Sequence, residues 1–290
     1  MARTNDPGSG CLQTAAPFIT VPNLPSAVSP YLETCDLRVK YETSETPVLD
    51  GIGFRVNEGE VVSLLGPSGC GKTTLFNVLS GLHIPTSGEV KLRGESVIGS
   101  RQHTAYLFQD HSLLPWRNVL QNVLLPAELE PDYRSPEIQA KCKQEALELL
   151  AAFGLEATVR LYPAELSGGM KQRAALARAF MADRPLYLFD EPFTGLDFFR
   201  RLQVEKMLSN YLRSHRRTCL LITHDLETAL AISHRIFLLS GTPCTIRKEI
   251  GGLAGVASDP IEARKRPEFE EAVKNATVIL TDIFETYASD

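Results

Sequence analysis

Short runs of apolar residues dominate the middle of the chain. Val61–Leu65, 186–189 and 219–223 each group four or five mostly apolar residues, which is the pattern of strands buried on both faces of a parallel sheet. Segments with helical spacing of apolar residues separate these runs. The alternation predicts an α/β protein with a mostly parallel central sheet.

A second group of strands shows apolar and polar residues in alternation. Residues 37–41 and 51–56 alternate on either side of a polar turn at 42–46, which predicts an antiparallel pair at a sheet edge ahead of the central strands. Four further strands are predicted, at 89–92, 104–108, 236–239 and 245–250. The last two form a hairpin.

Helices are predicted where apolar residues recur every three or four positions. The segments are 137–153, 169–182, 201–213 and one that begins at Pro267. Residues 122–136 contain three prolines and are expected to form a loop. The apolar cluster at 113–119 holds the single tryptophan, Trp116, and its composition predicts core or a buried turn.

A glycine-rich turn joins the strand Val61–Leu65 to the next helix. Residues 66–74 read Gly-Pro-Ser-Gly-Cys-Gly-Lys-Thr-Thr and fit G-x-x-x-x-G-K-[ST] in the strand-turn-helix setting that this pattern requires. Glycines let consecutive N–H groups face a phosphate, and the helix start adds its positive end. Lys72 is expected to reach the β- and γ-phosphates, and the Thr73 hydroxyl to hold Mg²⁺. The turn predicts binding of a nucleoside triphosphate.

Chemically active side chains follow two of the buried strands, at the edge where parallel sheets bind ligands. Asp190 and Glu191 end the first of these strands. We expect Asp190 to serve Mg²⁺ and Glu191 to orient or deprotonate a water. His224 ends the second strand and is expected to reach the γ-phosphate. Without the phosphate loop, these positions are typical of solvated strand-end turns.

Two further positions become candidate nucleotide contacts because a phosphate loop is present. Ser167 fits the N-cap of the helix at 169–182, whose free N–H groups form a second candidate anion site. Tyr41 closes an early strand within a loop's reach of the phosphate loop, where its ring can stack on adenine. The alternative for Tyr41 is an ordinary aromatic residue at a strand end.

Composition narrows the class of protein. The chain has 290 residues and a net charge of -5, which gives no reason to expect nucleic acid. We expect neither a membrane span nor a secretion signal, because no long apolar stretch is present. The six cysteines form no C-x-x-C pair, which favours free thiols in a reducing cytosol. Cys70, inside the phosphate loop, is given no catalytic role.

Taken in order, these motifs resemble the ATP-binding subunit of an ABC transporter over roughly residues 31–250. The matching segments are the Walker A loop at 66–73, the Q-loop glutamine Gln109, the signature Leu-Ser-Gly-Gly-Met-Lys-Gln at 166–172, Walker B at 186–190 with its catalytic glutamate Glu191, the D-loop at 194–197 and the switch histidine His224. Six motifs in the family's order are far more specific than any one of them.

The resemblance implies a fold and a domain organisation. The fold is that of a phosphate-loop NTPase of the ABC ATPase type: α/β with a mostly parallel core sheet, an N-terminal antiparallel β subdomain and a helical signature subdomain. The expected parts are a disordered tail at 1–30, rich in Pro, Ser, Thr and Gly, an ATP-binding domain at 31–250 with its helical subdomain at about 110–182, and a C-terminal helical extension at 251–290.

The resemblance also implies the roles of individual residues. The catalytic residues are Glu191, His224 and Gln109. ATP is bound by Tyr41, Gly66, Pro67, Ser68, Gly69, Cys70, Gly71, Lys72, Thr73, Thr74, Ser167, Gly168, Gly169 and Asp197. Mg²⁺ is held by Thr73, Gln109 and Asp190.

The partners follow from the same resemblance. Two copies, or this chain and a paralogous ATPase subunit, are expected to sandwich two ATP molecules head to tail. The chain is expected to dock as a peripheral subunit on integral membrane permease subunits, at the cytoplasmic face of the cell's inner membrane. An extracytoplasmic solute-binding protein is an indirect partner, and no nucleic acid is expected. Residues 113–116, Leu-Leu-Pro-Trp, resemble the importer branch for nitrate, sulfonate, taurine and bicarbonate.

Two other classes of protein remain as alternatives. A soluble ABC ATPase acting on DNA or ribosomes generally carries a long coiled-coil insertion or two cassettes, and the sequence shows neither. A different phosphate-loop enzyme, such as a kinase, has no use for the signature at 166–172.

Overall fold

The computed structural model describes residues 29–42, 44–255 and 259–288, with side chains up to 284. The tail expected at 1–30 therefore lies almost entirely outside the described residues. The strands are β1 (Leu32–Val39), β2 (Leu49–Val56), β3 (Val61–Leu65), β4 (Ser87–Leu92), β5 (Glu95–Ser96), β6 (Thr104–Leu107), β7 (Leu186–Asp190), β8 (Thr218–Ile222), β9 (Arg235–Ser240) and β10 (Thr245–Gly251). The α-helices are α1 (Lys72–Leu79), α2 (Val119–Glu128), α3 (Pro136–Ala152), α4 (Gly168–Met181), α5 (Phe198–Ser214), α6 (Leu226–Ile232), α7 (Pro260–Arg264) and α8 (Pro267–Ala288). Short 3₁₀ turns occur at Pro131–Arg134, Glu156–Thr158 and Pro163–Glu165.

A six-stranded sheet in the order β10-β9-β3-β8-β7-β6 forms the centre of the molecule. The neighbours from β9 to β6 all run parallel, and β10 pairs antiparallel with β9. All residues of β3, β7 and β8 are buried, as apolar runs in a parallel sheet require. The mostly parallel sheet and the terminal hairpin predicted from the sequence are confirmed.

A separate four-stranded antiparallel sheet, β2-β1-β4-β5, packs against one face of the central sheet. The predicted pairing of the first two strands is confirmed, with Leu32 opposite Val56. β1 also pairs with β4, so these strands form a sheet of their own, as the expected N-terminal antiparallel β subdomain requires. A single bridge between Leu49 and Cys244 joins this sheet to the turn before β10.

The central sheet separates two hydrophobic cores. Tyr187 and Phe189 of β7 lie in the core that contains α2, α3, α4 and α5, whereas Leu186 and Leu188 lie in the core shared with α1 and the antiparallel sheet. This alternation follows from the period of two along a strand. The two faces of one strand therefore bind the helical layer and the β layer to the same sheet.

The loop predicted at 122–136 is wrong, because α2 extends from Val119 to Glu128 with Pro126 in its interior. Asn118 caps this helix in a reciprocal capping box with Gln121, and α2 packs against α4. Pro126 in a helix interior costs about 3 kcal/mol or more. Burial of the apolar face of α2 and the capping box outweigh that cost.

Trp116 is also placed differently from the prediction, since 70% of its surface is exposed. The turn before α2 is held instead by Asn122, which is completely buried. Its amide donates to the carbonyls of Leu114, Arg117 and Asn118, and its Oδ1 accepts from the Leu114 N–H at 2.8 Å. Hydrogen bonds from Asn122 to the backbone, rather than burial of apolar side chains, therefore stabilise this turn, and the indole of Trp116 remains exposed.

The remaining predicted helices are confirmed with small differences at their ends, and α6, to which the sequence analysis assigned no element, follows His224. Among the helices that the structure describes, none combines the length and apolar character needed to cross a membrane.

A buried carboxylate ties three of the helices together. Glu205 of α5 is completely buried and accepts a hydrogen bond from the Thr228 hydroxyl of α6 at 2.6 Å. Arg264 of α7 approaches its other oxygen at 2.8 Å. Burial raises the pKa of Glu205, and the charge of Arg264 opposes that shift. Removing Arg264 leaves the buried acid with only the more distant Arg201, at 4.0 Å, to compensate its charge.

Arg264→Met is therefore expected to destabilise the fold by about 3 kcal/mol, as measured by urea unfolding. The matched control is Lys206→Met, which removes an ion pair with Asp259 from a lysine whose side chain is 47% exposed. That control should cost less than about 1 kcal/mol. Equal losses in the two variants would contradict the role assigned to Glu205.

Candidate functional site

The phosphate loop lies at the carboxyl end of β3 and curls into the start of α1. A Cβ at Gly66 would lie 2.4 Å from the Leu239 carbonyl oxygen, so the close approach to β9 requires glycine there. Gly71 caps α1 with φ +112° and offers no side-chain acceptor. The first N–H groups of α1 are thus left for a ligand, and an anion suits them.

Lys72 is held inside this loop. Its Nζ donates to the carbonyls of Gly66 and Pro67 at 2.9 and 2.7 Å, and the side chain is buried. A buried ammonium group within the loop supplies the charge that phosphate oxygens require. The loop backbone, with Ser68 and Gly69 exposed at its tip, and Lys72 therefore fit a polyphosphate chain.

The side chains of Thr73 in α1 and Asp190 in β7 meet beside the phosphate loop. The Thr73 hydroxyl donates to Asp190 Oδ2 at 3.0 Å, and the Tyr106 hydroxyl approaches the same oxygen at 3.5 Å. Burial raises the pKa of Asp190, while the Thr73 hydrogen bond opposes that shift. The sequence motifs predict Thr73 and Asp190 as Mg²⁺ ligands, but they do not predict the contact of Tyr106, which depends on how β6 lies against β7.

The residues present fit Mg²⁺, which prefers a few carboxylate and hydroxyl oxygens and completes its octahedron with water and phosphate. Thr73 and Asp190 supply such oxygens next to the phosphate loop. Within the described part of the chain, no group of three or more His, Cys, Asp or Glu side chains could hold a metal by itself. A nucleotide-completed magnesium site agrees with this donor set.

Glu191 and His224 meet at the same edge of the sheet. His224 Nδ1 lies 2.8 Å from Glu191 Oε2, which also accepts from the Thr194 hydroxyl at 3.2 Å. The Glu191 backbone has φ +51° and its N–H donates to the carbonyl of Ile222, so the turn that follows β7 is fixed to the end of β8. The carboxylate is thereby oriented from two sides, as a base that must hold a water requires.

Gln109 follows β6 and is exposed. The segment beyond it is anchored by Arg178 of α4, whose guanidinium donates to the carbonyls of His111 and Ser112 at 2.9 and 2.6 Å. The contacts of Arg178 could not be predicted from the sequence, because nothing in the local pattern shows that α4 passes close to this segment. Gln109 itself is available to a ligand at the end of the strand adjacent to Asp190.

The signature segment lies at the start of α4. The Ser167 Oγ accepts from the Met170 N–H at 3.3 Å, which confirms the predicted N-cap. Ser167 and Gly168 are exposed, whereas Gly169 packs against Leu196 and Arg200 of the D-loop region. The helix start therefore faces solvent and is supported from behind by the D-loop.

The D-loop leads directly into α5. Asp197 caps that helix through a bond from the Arg200 N–H at 3.1 Å and remains exposed. One turn further on, Arg201 forms an ion pair with Asp225, the residue that follows His224 and caps α6. A salt bridge that the sequence did not reveal thus links the start of α5, which follows the segment 194–197, to the residue after His224.

Tyr41 lies close to the phosphate loop, as expected. Its hydroxyl is 3.5 Å from the Thr74 hydroxyl, and its ring centroid is 5.1 Å from that of His83. The ring is partly exposed, so one face is accessible to a flat ligand.

The structure therefore brings together the loop at 66–74, Asp190, Glu191 and His224, with Tyr41 and Gln109 at the periphery. Sheet order explains the grouping, since β3, β8 and β7 are adjacent and parallel and all carry their functional residues at the carboxyl end. Ser167 and Asp197 present their side chains on a neighbouring exposed surface.

This order of strands, with the phosphate loop and the acidic residues at the strand ends, defines the class of phosphate-loop ATPases. The profile of the ABC transporter family matches residues 49–194, and the chain belongs to that family. The expected fold is confirmed, and the chain is an ATPase of this kind.

Curated relatives cover most of the chain. It is 38% identical over 232 residues to the uncharacterized ABC transporter ATP-binding protein YtlC of Bacillus subtilis (strain 168), covering 78% of this chain and 85% of that protein. It is 42% identical over 196 residues to the aliphatic sulfonates import ATP-binding protein SsuB 1 of Rhodococcus jostii (strain RHA1), covering 68% and 74%. It is 36% identical over 245 residues to the formylaminopyrimidine import ATP-binding protein ThiZ of Halalkalibacterium halodurans, covering 83% and 90%.

A solved structure of the same class shows the same fold. The dimeric, post-hydrolysis state of the ATP-binding cassette MJ0796 bound to ADP and Pi superposes with a TM-score of 0.67 at 28% identity, covering 76% of this chain and 98% of that one.

Glu191→Gln is expected to retain ATP binding but to lower the rate of hydrolysis at least about a hundredfold, because the amide preserves the shape yet accepts no proton. With ATP and Mg²⁺ the variant should accumulate as a closed dimer in gel filtration, since the nucleotide is not consumed. Glu58→Gln, at an exposed ion pair with Arg93, is the control and should leave the rate unchanged. Wild-type turnover in Glu191→Gln would exclude Glu191 as the base.

Proposed function

We propose that the chain is the ATP-hydrolysing subunit of an ABC importer that takes up a small solute of the nitrate, sulfonate, taurine or bicarbonate type. The observation that carries the proposal is the exposed helix start at Ser167, a second anion site on the surface of a phosphate-loop ATPase. The segment Leu-Leu-Pro-Trp at 113–116 and the sulfonate-import relatives support the solute class. Relatives named as importers do not favour a soluble ABC ATPase acting on DNA or ribosomes.

The residues around the phosphate loop have distinct roles toward the nucleotide and the attacking water. Lys72 and the free N–H groups of α1 bind the β- and γ-phosphates, while Tyr41 stacks on the adenine. Thr73, Asp190 and Gln109 would hold Mg²⁺, which would neutralise charge on the phosphates when bound. Glu191 takes the proton of the attacking water, and His224 contacts the γ-phosphate and orients Glu191.

Hydrolysis requires two copies in this proposal. The start of α1 binds the nucleotide from one side, and the start of α4 of a second copy binds it from the other. Either half-site alone leaves the γ-phosphate open to water, so the complete electrostatic site forms only in the closed dimer. The dimeric state of the related cassette MJ0796 supports this arrangement. A paralogous ATPase subunit with its own signature could take the second position.

Dimer closure is the movement that does work on the partners. We infer that the chain sits peripherally on integral permease subunits at the cytoplasmic face of the inner membrane. An extracytoplasmic solute-binding protein would then contact the permease rather than this chain. ATP-driven closure and post-hydrolysis opening become a rigid-body displacement of the permease.

Ser167→Arg should leave ATP binding by the isolated chain within about twofold of wild type but abolish hydrolysis, because the added side chain occupies the place of the partner's γ-phosphate. Ser167→Ala removes only the cap, which is worth about 1 kcal/mol, and should retain most of the activity. Ser135→Arg, at the N-cap of α3 where no side-chain cap bond is present, is a matched control for the added charge. Full activity in Ser167→Arg would exclude the head-to-tail site.

The importer assignment is tested by purification of the tagged chain from detergent-solubilised membranes. A partner with several membrane-spanning helices should accompany it, and ATP turnover of the complex should rise when the permease is reconstituted with its solute. Recovery with ribosomes or a DNA repair complex instead would refute an importer.

A further inference from the structure

Two thiols meet behind the phosphate loop. Cys70 lies within the loop and is 5% exposed, and Cys244 lies in the turn before β10 and is completely buried. Cys244 lies against Gly71, the residue next to Cys70 in the chain, and each thiol is the largest influence on the pKa of the other. They come from positions 174 residues apart and belong to no C-x-x-C motif, so the sequence alone gives no sign of the pair.

The surroundings fix both thiols in place. The Cys244 N–H donates to the Val48 carbonyl at 2.9 Å, and the Cys244 carbonyl accepts from the Asp50 N–H at 3.1 Å. A Cβ added at Gly71 would lie 3.3 Å from Cys244 Cβ, and one at Gly66 would lie 3.3 Å from Cys70 Sγ. The antiparallel sheet therefore holds Cys244 against the loop, and glycines on either side of Cys70 make room for the contact.

One thiol of the pair is prepared for reaction. Lys72 Nζ lies 3.9 Å from Cys70 Sγ, and a nearby cation favours the thiolate, which is the nucleophilic form. The hydrogen bond from Cys244, and then the charge of Lys72, lower the pKa of Cys70. The same contact raises the pKa of Cys244, so that Cys244 remains the proton donor.

We propose that Cys70 and Cys244 form an oxidation site, at which hydrogen peroxide or a small hydroperoxide converts the two thiols into a disulfide that weakens ATP binding. The inference rests on ATP binding by the phosphate loop but not on the transported solute or the permease. Nothing else about the importer proposal enters it.

The chemistry balances with the peroxide as oxidant. The Cys70 thiolate attacks one peroxide oxygen, the O–O bond breaks, and the leaving oxygen is protonated to water, or to an alcohol from a hydroperoxide. Cys244 then attacks the sulfenic sulfur, the S–O bond breaks, and a second water leaves with the Cys244 proton. Two thiols lose two electrons, and one peroxide is reduced.

The disulfide should affect the loop because of its length. An S–S bond is about 2 Å long, much shorter than a hydrogen-bonded contact between two sulfur atoms. Closing that gap pulls the Cys70 backbone toward β10 and reorients the N–H groups of 69–71 that face the phosphates. ATP bound at the loop would oppose this displacement of the Cys70 backbone, so ATP should also slow the oxidation.

The test uses the full chain, reduced and then treated with increasing hydrogen peroxide, with catalase to stop the reaction. Digestion under non-reducing conditions and mass spectrometry should identify a peptide that links Cys70 to Cys244. Affinity for a fluorescent ATP analogue should fall at least fivefold and return with dithiothreitol. Prior saturation with ATP should slow formation of the linked peptide.

Two variants complete the design. Cys244→Ser should retain nucleotide affinity after the same mild treatment, because no second thiol is present to close the bridge. Cys219→Ser is the matched control, since Cys219 is equally buried in β8 and burial raises its pKa. It should behave as wild type. Melting temperatures of the reduced variants exclude a folding defect.

Three results would overturn the inference. They are absence of the linked peptide, its formation with unchanged nucleotide affinity, and an equal loss of affinity in Cys244→Ser. Failure of the reduced chain to bind ATP is a different outcome, because it would refute the proposed function itself.

Discussion

The parallel alignment of β3, β8 and β7 is the constraint on which the rest of the structure depends. Adjacent parallel strands end at one edge of the sheet, so residues far apart in the chain meet there without any further device. Lys72 arrives after the first of these strands, His224 after the second and Asp190 at the end of the third. Burial of all three strands fixes their register, so the distances between these side chains are fixed as well.

Much of this edge can be predicted from the sequence, because its signals are local. A glycine-rich turn between an apolar run and a helix start, as at 66–74, has few other interpretations. The same holds for Ser167, whose capping role depends only on residues within one turn. Strand-end residues such as Glu191 can be located from the buried run that precedes them. Their pairing with His224 follows from the parallel order.

Long-range polar contacts could not be predicted, because they depend on which elements pass one another. Asn122 falls in a segment with three prolines, and only the folded chain shows that its side chain hydrogen-bonds the backbone of Leu114 and Arg117 and holds the turn before α2. Arg178 and Tyr106 are similar cases, since each acts on a segment distant in sequence. In the sequence, polar residues that hydrogen-bond buried backbone groups cannot be distinguished from ordinary loop residues until their partners are known.

The carboxylate of Glu205 has a mechanical consequence for the end of the chain. It contacts α6, which begins directly after the switch histidine, and Arg264 of α7, while its own helix starts at Asp197 of the D-loop. A displacement of α7 is therefore expected to shift Glu205, and with it the starts of α5 and α6 next to Asp197 and His224. Truncation ahead of Arg264 would remove these contacts and loosen the positioning of residues at the carboxyl edge of the sheet, although every residue of the candidate site would still be present.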